Sequence, residues 1–553
     1  MQAGYHVNDY YTEKLCADEL QPGNPGTLDI IRPKISIPMK KCHEFTAGWI
    51  SSITEQLQPV RPVRPERSAP CARGVHSSHL SHSAQSALSA RSTRSSNKPH
   101  SARSVRTSNA LFIALLTVTL LIAGPVHAGD SLLVATADES GFSAERLTRL
   151  SHMLNSYAGE QRISGGVALV MRNGHAVYYE AFGKMDIETN EPMKPEALFR
   201  IASQTKAIIS VGVMILQEQG KLLITDPVGK YLPEFGQTTV AVAREMSDSD
   251  DREGDGDGDG DGDGDENQDP GYDIVPANRP ITIRDLLTHS AGIGYGFGPA
   301  ADLWMEAGIQ GWYLADRDEP IRETVRRMAS LPFDAQPGER FVYGYANDIL
   351  GALIEEVSDM PLDAFLHQEI FEPLNMHDTH FFLPEEKASR LATVYSAAED
   401  GGIVRAPDPG GSVGQGHYVT GPRKCFSGGA GLVSTAMDYA GFLQMMLNGG
   451  ELGGHRILSP RTVQLMIVNH LTDIPFRPGL GVGLGFDVVT DLGARGVPGA
   501  IGDFGWGGAY HSTYWVSPQD GLVVVFFTQL IPSRGSDLHG KLRSLIYQAL
   551  VEP

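Results

Sequence analysis

The chain has 553 residues, 41% of them hydrophobic, and its formal net charge is −21 at pH 7. This length and hydrophobic fraction suffice for one large folded domain or two ordinary ones. The negative charge argues against nucleic acid as a partner, because proteins that bind phosphate backbones are basic. The charge is uneven, since residues 1–106 are rich in Arg, Ser, His and Pro, whereas 248–269 consists almost wholly of acidic residues and glycine.

An apolar run at residues 110–123 is shorter than the roughly 20 residues that a membrane-spanning helix needs. Arg103 and Arg106 precede the run and Val126-His127-Ala128 follows it, as in a secretory signal peptide. We expect residues 105–128 to be a signal peptide that is cut after Ala128. The mature protein is then periplasmic or secreted, without stable membrane insertion; a single membrane anchor is the alternative.

A signal peptide this far from the first residue is unusual. We expect translation to start near Val105, so that residues 1–104 are a non-native or disordered extension. Three of the four cysteines lie in that extension, which leaves Cys425 without a disulfide partner in the mature chain. The folded domain is then expected at 129–553.

The first elements of this domain are a helix and a hairpin. Apolar residues recur at helical spacing between Phe142 and Tyr157, which predicts an amphipathic helix. Two runs typical of strands follow at 166–171 and 175–182. Asn173-Gly174 joins them and is a strong hairpin signal, so we expect an antiparallel pair.

The middle of the chain is predicted to be mostly helical. The run 207–216 is apolar nearly all round, which predicts a buried helix, and a helical subdomain is expected at roughly 220–430. His289 lies in a glycine-rich turn that ends a helix, and we expect it to hold the turn instead of acting as a base. Further helices are predicted at 321–330, 347–357, 361–370, 437–447 and 460–469.

An acidic segment at 246–270, with Asp-Gly repeated from Asp255 to Asp265, interrupts this subdomain. Such a segment cannot bury enough apolar area to order itself, so we expect a disordered, solvated insertion. Calcium binding is the alternative, but the fixed ligand spacing and terminal glutamate of a calcium loop are missing.

The end of the chain returns to strands. They are predicted at 480–489, 509–516 and 521–528, with a closing helix at 540–550. Strands at both ends with helices between them predict an α/β (α+β) fold, in which one antiparallel sheet is flanked by helices and carries an inserted, mostly helical domain.

The strongest chemical motif is Ser203-x-x-Lys206, at the start of the predicted buried helix. Residues three apart share a helix face, so the hydroxyl and the amine point into one pocket. This is the geometry of a serine nucleophile with an adjacent base. The unpaired N–H groups and positive dipole at the helix start favour an alkoxide at Ser203.

Two later segments supply partners for this motif. Tyr343 lies in a tyrosine-rich loop before a helix, and a tyrosinate beside Lys206 can take the proton of Ser203 and return it to a leaving group. Trp506-Gly507-Gly508 opens a predicted strand. We expect this strand to lie at the edge of the sheet, where its paired glycines let a substrate backbone approach closely. The N–H groups of Ser203 and Ala509 are therefore a candidate oxyanion hole.

In this order and at these separations, Ser203-x-x-Lys206, the Tyr343 loop and Trp506-Gly507-Gly508 resemble the serine β-lactamase-like hydrolases. Within that group they look most like the family VIII carboxylesterases and the class C β-lactamases. The similarity spans roughly 142–550, apart from the insertion. It implies a penicillin-binding-protein-like fold, Ser203 as the acylated nucleophile, Lys206 with Tyr343 as base, and no metal or cofactor.

Two departures from the family pattern bear on the substrate. The Tyr-x-Asn of class C enzymes occurs as Tyr345-Ala346-Asn347, two residues after the tyrosine of the esterase pattern, so we prefer Tyr343 as base. Tyr345 and Asn347 are then expected to bind substrate, together with Trp506, Gly507 and Gly508. Trp-Gly-Gly also replaces Lys-Thr-Gly, which removes the cation that would hold the carboxylate of a β-lactam or peptide.

The resemblance therefore implies an exported ester hydrolase that acts on a small-molecule ester through an acyl-enzyme. A β-lactamase or D-amino-acid peptidase of the same fold is one alternative. A non-catalytic envelope binding protein is another. The sequence carries no signal for an oligomeric state.

One further motif is a decoy. Residues 410–414 match the G-x-S-x-G pattern of α/β-hydrolases around Ser412. That pattern acts through a sharp strand-to-helix turn, and nothing strand-like directly precedes Ser412. We interpret the match as chance.

Overall fold

The computed structural model describes residues 133–134, 136–244, 271–399 and 401–552. The extension, the signal peptide and the acidic insertion predicted above lie outside the described residues. Within the described ranges, no helix combines the length and apolar character needed to cross a membrane.

A nine-stranded sheet forms the centre of the fold, and its strands come from the two ends of the described chain. From edge to edge the order is β1-β3-β2-β17-β16-β15-β14-β13, with β4 also paired to β3. All its pairings are antiparallel except β1 with β3. The predicted antiparallel sheet is thus confirmed. The strands are β1 (Leu133–Val134), β2 (Gly165–Arg172), β3 (His175–Asp186), β4 (Glu191–Pro192), β5 (Phe199–Arg200), β6 (Thr239–Ala243), β7 (Tyr272–Pro276), β8 (Tyr395–Ala397), β9 (Ile403–Arg405), β10 (Val433–Ser434), β11 (Glu451–Leu452), β12 (His455–Arg456), β13 (Leu480–Val482), β14 (Asp487–Val489), β15 (Phe504–Gly508), β16 (Ser512–Ser517) and β17 (Leu522–Phe527).

Helices cover both faces of this sheet. The α-helices are α1 (Ala144–Gly159), α2 (Thr205–Glu218), α3 (Ile283–Leu287), α4 (Ala301–Glu306), α5 (Ile321–Met328), α6 (Ala346–Ser358), α7 (Leu362–Leu366), α8 (Ala436–Leu447), α9 (Pro460–Met466), α10 (Leu492–Arg495) and α11 (Leu538–Tyr547). Apolar side chains of α1 and α11 form one core with one face of the sheet, and those of α2, α6 and α8 form the larger core with the other face. The two ends of the domain therefore close one face, and the inserted helices close the other.

The predicted hairpin joins β2 and β3. Asn173 and Gly174 both have positive φ, 50° and 83°, which suits a two-residue turn whose twist matches that of the strands. β2 is buried along its whole length, because β17 and β3 flank it and helices cover both of its faces. The hairpin thus anchors the middle of the sheet.

The helix that begins beside Ser203 is buried on every side, as its all-round apolar pattern predicts. Each residue from Thr205 to Leu216 is buried in α2, and α6 packs against this helix. Gly212 makes the contact close, since an added Cβ would lie 3.0 Å from Ile354 Cδ1. A helix held this firmly fixes whatever projects from its first turn.

The predicted strand 480–489 is wrong, because the structure has two strands there. β13 and β14 form a hairpin around Gly485, whose φ is +90°. A Cβ on Gly485 would lie 2.4 Å from Ser210 Oγ, so the turn packs directly against α2. A tertiary contact therefore breaks a run that alternates like one strand.

The predicted strand 509–516 is also displaced. Phe504–Gly508 forms a strand of its own, β15, and the next strand starts at Ser512. The turn between them includes His511 at φ +61°, a conformation that non-glycine residues seldom adopt. Four α-helices also end earlier than predicted: α5 stops at Met328, α9 at Met466 and α11 at Tyr547, and α7 passes into a π-helical turn at His367–Phe371.

Candidate active site

Ser203 lies on a tight turn between β5 and α2. A 3₁₀ turn, Ala202–Gln204, runs straight into the helix, and Ser203 is half-buried there. Ala202 has φ +43°, a strained value for a residue with a Cβ. Two hydrogen bonds with Leu432 hold the turn in place. Ile201 N–H donates to the Leu432 carbonyl, and Leu432 N–H donates to Thr205 Oγ1. These contacts with a distant segment hold Ala202 in its strained conformation.

Lys206 is buried one helical turn further on, with 2% of its surface exposed. Its Nζ donates to Ser203 Oγ at 3.3 Å, to Tyr295 Oη at 3.2 Å and to the Gly429 carbonyl at 2.8 Å. The structure thus brings the predicted nucleophile and its predicted base into direct contact. The amine is aimed by three acceptors.

Tyr343, the predicted partner of Lys206, lies against the same amine. Lys206 Nζ is 4.7 Å from the centre of the Tyr343 ring. Tyr343 Oη accepts a hydrogen bond from Trp506 Nε1 at 3.2 Å, so the indole of the Trp-Gly-Gly motif orients the phenol. Three segments that are far apart in the sequence therefore meet around Tyr343.

Tyr295 is a site residue that the sequence did not single out. It accepts a hydrogen bond from Lys206, and its ring meets those of Tyr343 and Tyr345 edge-on at 5.8 Å and 5.0 Å. The signal that could have found it is a tyrosine between two glycines, in the loop that follows the predicted turn at His289. A polar aromatic side chain in such a loop is a reasonable candidate for a site.

Asp348 is a second residue that sequence reasoning did not assign to the site. Its Oδ1 accepts hydrogen bonds from Ser427 Oγ at 2.7 Å and from Gly429 N–H at 3.0 Å. Burial raises the pKa of Asp348. Because the Gly429 carbonyl accepts a hydrogen bond from Lys206 Nζ, Asp348 holds in place the residue that orients the amine.

Tyr345 and Asn347 lie behind the reacting groups. The Tyr345 ring is fully buried and its Oη donates to the Gly311 carbonyl, while burial raises the pKa of this phenol. Asn347 is 1% exposed, and its amide donates to the Lys206 carbonyl at 3.3 Å. Neither residue lines the cleft described below, so their contact with substrate stays a prediction.

His289 is buried at the other side of Tyr343. Its φ is +55°, its ring centre is 4.8 Å from that of Tyr343, and its carbonyl accepts a hydrogen bond from Val342 N–H. Burial and the nearby Lys206 charge hold the pKa of His289 well below its usual range. The imidazole is therefore neutral at neutral pH and packs behind the ring of Tyr343.

One cleft of about 330 Å³ joins the predicted nucleophile to the predicted substrate-binding strand. Ser203, Tyr343, Trp506, Gly507 and Gly508 all line it. The prediction that this strand is the edge of the sheet is wrong, since β14 and β13 lie outside β15. The pairing of β14 with β15 nevertheless ends at Gly505, before the Trp-Gly-Gly stretch.

Ala509 follows this stretch, in the turn that leads to β16. Its side chain packs in a small cluster with Ala202, next to the nucleophile, and Gly508 approaches the same segment closely. The oxyanion hole formed by the N–H groups of Ser203 and Ala509 stays a prediction. In the described part of the chain, no group of three or more His, Cys, Asp or Glu side chains is arranged to hold a metal ion.

Comparisons with known proteins agree with this fold. Residues 150–546 match the model of the β-lactamase family. Protein Rv1367c of Mycobacterium tuberculosis is 33% identical over 397 residues, which cover 68% of this chain and 88% of that protein. Esterase EstB of Burkholderia gladioli is 30% identical over 420 residues, which cover 72% of this chain and 94% of the esterase.

Solved structures give the same result. EstCE1, a hydrolase with promiscuous acyltransferase activity, superposes with a TM-score of 0.59 at 28% identity, over 75% of this chain and 100% of its own. These relatives support a hydrolase with the β-lactamase and penicillin-binding-protein fold. The chain belongs to the β-lactamase family.

Proposed function

We propose that the protein is a serine hydrolase of the family VIII carboxylesterase type, which cleaves carboxylic esters through an acyl-enzyme. The observation that carries the proposal is the contact of Lys206 Nζ with Ser203 Oγ, in a cleft that Ser203 lines together with the neutral Trp506 of β15. The similarity to esterase EstB and to the hydrolase EstCE1 supports it.

In the proposed first half-reaction, Ser203 Oγ attacks the ester carbonyl and its proton passes to the Tyr343–Lys206 pair. The N–H groups of Ser203 and Ala509 hold the negative oxygen of the tetrahedral intermediate. When this intermediate collapses, the bond to the alcohol oxygen breaks, and that oxygen takes the proton from the pair. The alcohol leaves, and the acyl group stays on Ser203.

The second half-reaction repeats these steps with water. The Tyr343–Lys206 pair removes a proton from water, whose oxygen attacks the acyl carbonyl. Collapse of the second intermediate breaks the bond to Ser203 Oγ, and the proton returns to the serine. The carboxylic acid is then released, and the pair is restored.

The neutral indole of Trp506 is the reason to favour esters over β-lactams. It occupies the motif position where β-lactamases carry a lysine, and it donates to Tyr343 Oη instead of holding a substrate anion. Loss of a buried charge contact costs about 2–5 kcal/mol, which is a factor of about 30 to 4,000 in binding or rate. An ester needs no such contact in order to react.

A direct comparison of substrates tests this function. With p-nitrophenyl acetate and butyrate beside a chromogenic cephalosporin, we expect kcat/KM for the esters to exceed that for the lactam by at least about 100-fold. Equal or faster opening of the cephalosporin would favour the β-lactamase alternative. Absence of turnover with every substrate would favour a binding protein.

Export is proposed on the sequence of residues 105–128 alone. A positive flank, a short apolar run and small residues at the cut site are the features of a secretory signal peptide. We propose a periplasmic or secreted location on that basis.

The spacing between β15 and the nucleophile gives a further prediction. A Cβ on Gly508 would lie 2.6 Å from the Ile201 carbonyl, two residues before Ser203, whereas a Cβ on Gly507 would meet only the Ser512 carbonyl, at 3.3 Å. Gly508→Ala should therefore displace the nucleophile and lower kcat about 100-fold. Overpacking should also reduce the free energy of unfolding by about 1–3 kcal/mol.

Gly507→Ala is the matched control, because it adds the same methyl group one residue earlier on the same strand. Ester hydrolysis and thermal unfolding of both variants are the measurements. A Gly507→Ala variant as impaired as Gly508→Ala would show that the close approach to Ile201 is not the cause.

A further inference from the structure

The cleft that contains Ser203 has a positive lining, although the chain as a whole carries a net charge of −21. Its charged side chains, histidines aside, are Arg477, Arg495, Arg543, Asp487 and Asp503. Three arginines thus face two aspartates. Clefts focus the field of the charges that line them, so a local excess of one sign selects the opposite sign in a ligand.

Two of these five residues form an ion pair whose opposite charges cancel. Arg543 Nη2 and Asp503 Oδ2 are 2.6 Å apart, and their side chains are 7% and 1% exposed. Asp487 is then the acidic group left for Arg477 and Arg495. The pKa of Asp487 is raised, because desolvation by burial outweighs the opposing effect of the nearby arginines, of which Arg477 has the largest. A single carboxylate cannot satisfy two guanidinium groups.

Both remaining arginines have donors to spare. Arg495 Nη1 is buried without a hydrogen-bond partner among the described residues. For the Arg477 guanidinium, the described residues provide neither a hydrogen bond nor an ion pair; its contact is with the ring of Phe476, whose centre is 5.0 Å away. Arg477 is half-buried, so a ligand in the cleft can reach it.

A set of aromatic rings connects Arg477 to the reacting groups. The ring of Phe476 stacks on Trp506 with centres 6.2 Å apart and planes 8° apart, and it contacts Phe341 at 4.7 Å. Trp506 in turn contacts Tyr343, at 5.7 Å between ring centres. The guanidinium therefore lies at the end of an apolar wall that begins at the catalytic tyrosine.

We propose that the cleft selects esters whose acyl group carries a second, free carboxylate, which Arg477 binds with Arg495 in support. The proposal rests on the ester hydrolase function proposed above and names its substrate class: monoesters of dicarboxylic acids. The apolar chain between the two carboxyl groups lies along Phe341 and Trp506, which both line the cleft. A cleft of about 330 Å³ is at the small end of ligand pockets, as a short diacid requires.

Kinetics on matched esters test the proposal. Monoethyl succinate, glutarate and adipate carry the carboxylate, and the corresponding ethyl oxo-esters, with acetyl in place of carboxyl, are neutral controls of the same shape. Released ethanol is measured. We expect wild-type kcat/KM to be higher for at least one acid than for its neutral partner, and this ratio to fall about tenfold in Arg477→Gln.

Two further variants separate charge from structure. Arg477→Lys keeps the cation and should recover part of the ratio. Arg461→Gln removes an exposed arginine of α9 that bonds only Gln464 among the described residues, and it should leave the ratio unchanged. An Arg477→Gln variant with the wild-type ratio would overturn the proposal, whereas turnover of the neutral esters would still support the hydrolase.

A binding measurement makes the test independent of turnover. The dissociation constant of monoethyl adipate is measured by calorimetry on Ser203→Ala and on the same variant with Arg477→Gln. We expect about tenfold weaker binding in the double variant, and a weaker effect of Arg477 at high salt. Equal dissociation constants would refute the anion site even if no ester were hydrolysed.

Discussion

Ser203→Ala is expected to lower kcat for ester hydrolysis by at least about 10⁴-fold and to abolish the covalent acyl adduct. Ser203 Oγ is the hydroxyl that Lys206 Nζ contacts, at 3.3 Å, on the lining of the cleft. Removing it leaves the binding contacts of the cleft but no atom on which the acyl group can be carried. Intact-mass measurement after mixing with a p-nitrophenyl ester detects the adduct directly.

Ser412→Ala is the matched control for this experiment. Ser412 lies in the G-x-S-x-G sequence, but the structure places it in a 3₁₀ turn, Gly411–Val413, between loop segments, and not in a strand-to-helix turn. This variant should hydrolyse esters and form the adduct at the wild-type rate. An adduct that persists in Ser203→Ala would refute the nucleophile assignment, and its loss in Ser412→Ala would identify the other serine.

Local patterns predicted the elements around the site well. The Asn173-Gly174 turn and the all-round apolar run of α2 each specify an element through contacts within a few residues. The spacing of Ser203 and Lys206 is likewise a local feature, because one helical turn determines it. These features were therefore readable from the sequence without knowledge of the rest of the fold.

The parts that the sequence did not show depend on distant contacts. The division of 480–489 into two strands follows from the packing of Gly485 against Ser210, which is far away in the chain. Tyr295 reaches Lys206 across 89 residues, and nothing in its own loop indicates that partner. Arg477 likewise acquires its position from the stack of Phe476 on Trp506.

The choice of the catalytic tyrosine depends on both a sequence pattern and distant contacts. Tyr343 was selected as the tyrosine of the esterase pattern, and the structure then adds a second phenol, Tyr295, whose Oη is 3.2 Å from Lys206 Nζ. Tyr343 lines the cleft with Ser203, whereas Tyr295 does not. A base must reach the proton that it removes, so position on the cleft favours Tyr343.

Phenylalanine substitutions separate the two tyrosines. Tyr343→Phe should lower kcat by about 10²–10⁴-fold, as loss of a general acid–base does. Tyr295→Phe removes one of the three acceptors of Lys206 and leaves Ser203 Oγ and the Gly429 carbonyl, so we expect a loss of about tenfold, the worth of one hydrogen bond. Both variants keep their ring contacts, and thermal unfolding should show that both remain folded.

Tyr345→Phe completes the series, since Tyr345 is the tyrosine of the literal Tyr-x-Asn. Its Oη donates to the Gly311 carbonyl, away from Lys206, so its removal should reduce the free energy of unfolding by about 1 kcal/mol and change kcat less than Tyr343→Phe does. Single-turnover acylation and the pH profile of kcat/KM are measured for all three variants. If Tyr295→Phe gave the largest loss of acylation, the base would be the phenol that touches the amine, and the tyrosine chosen by the family pattern would only shape the cleft.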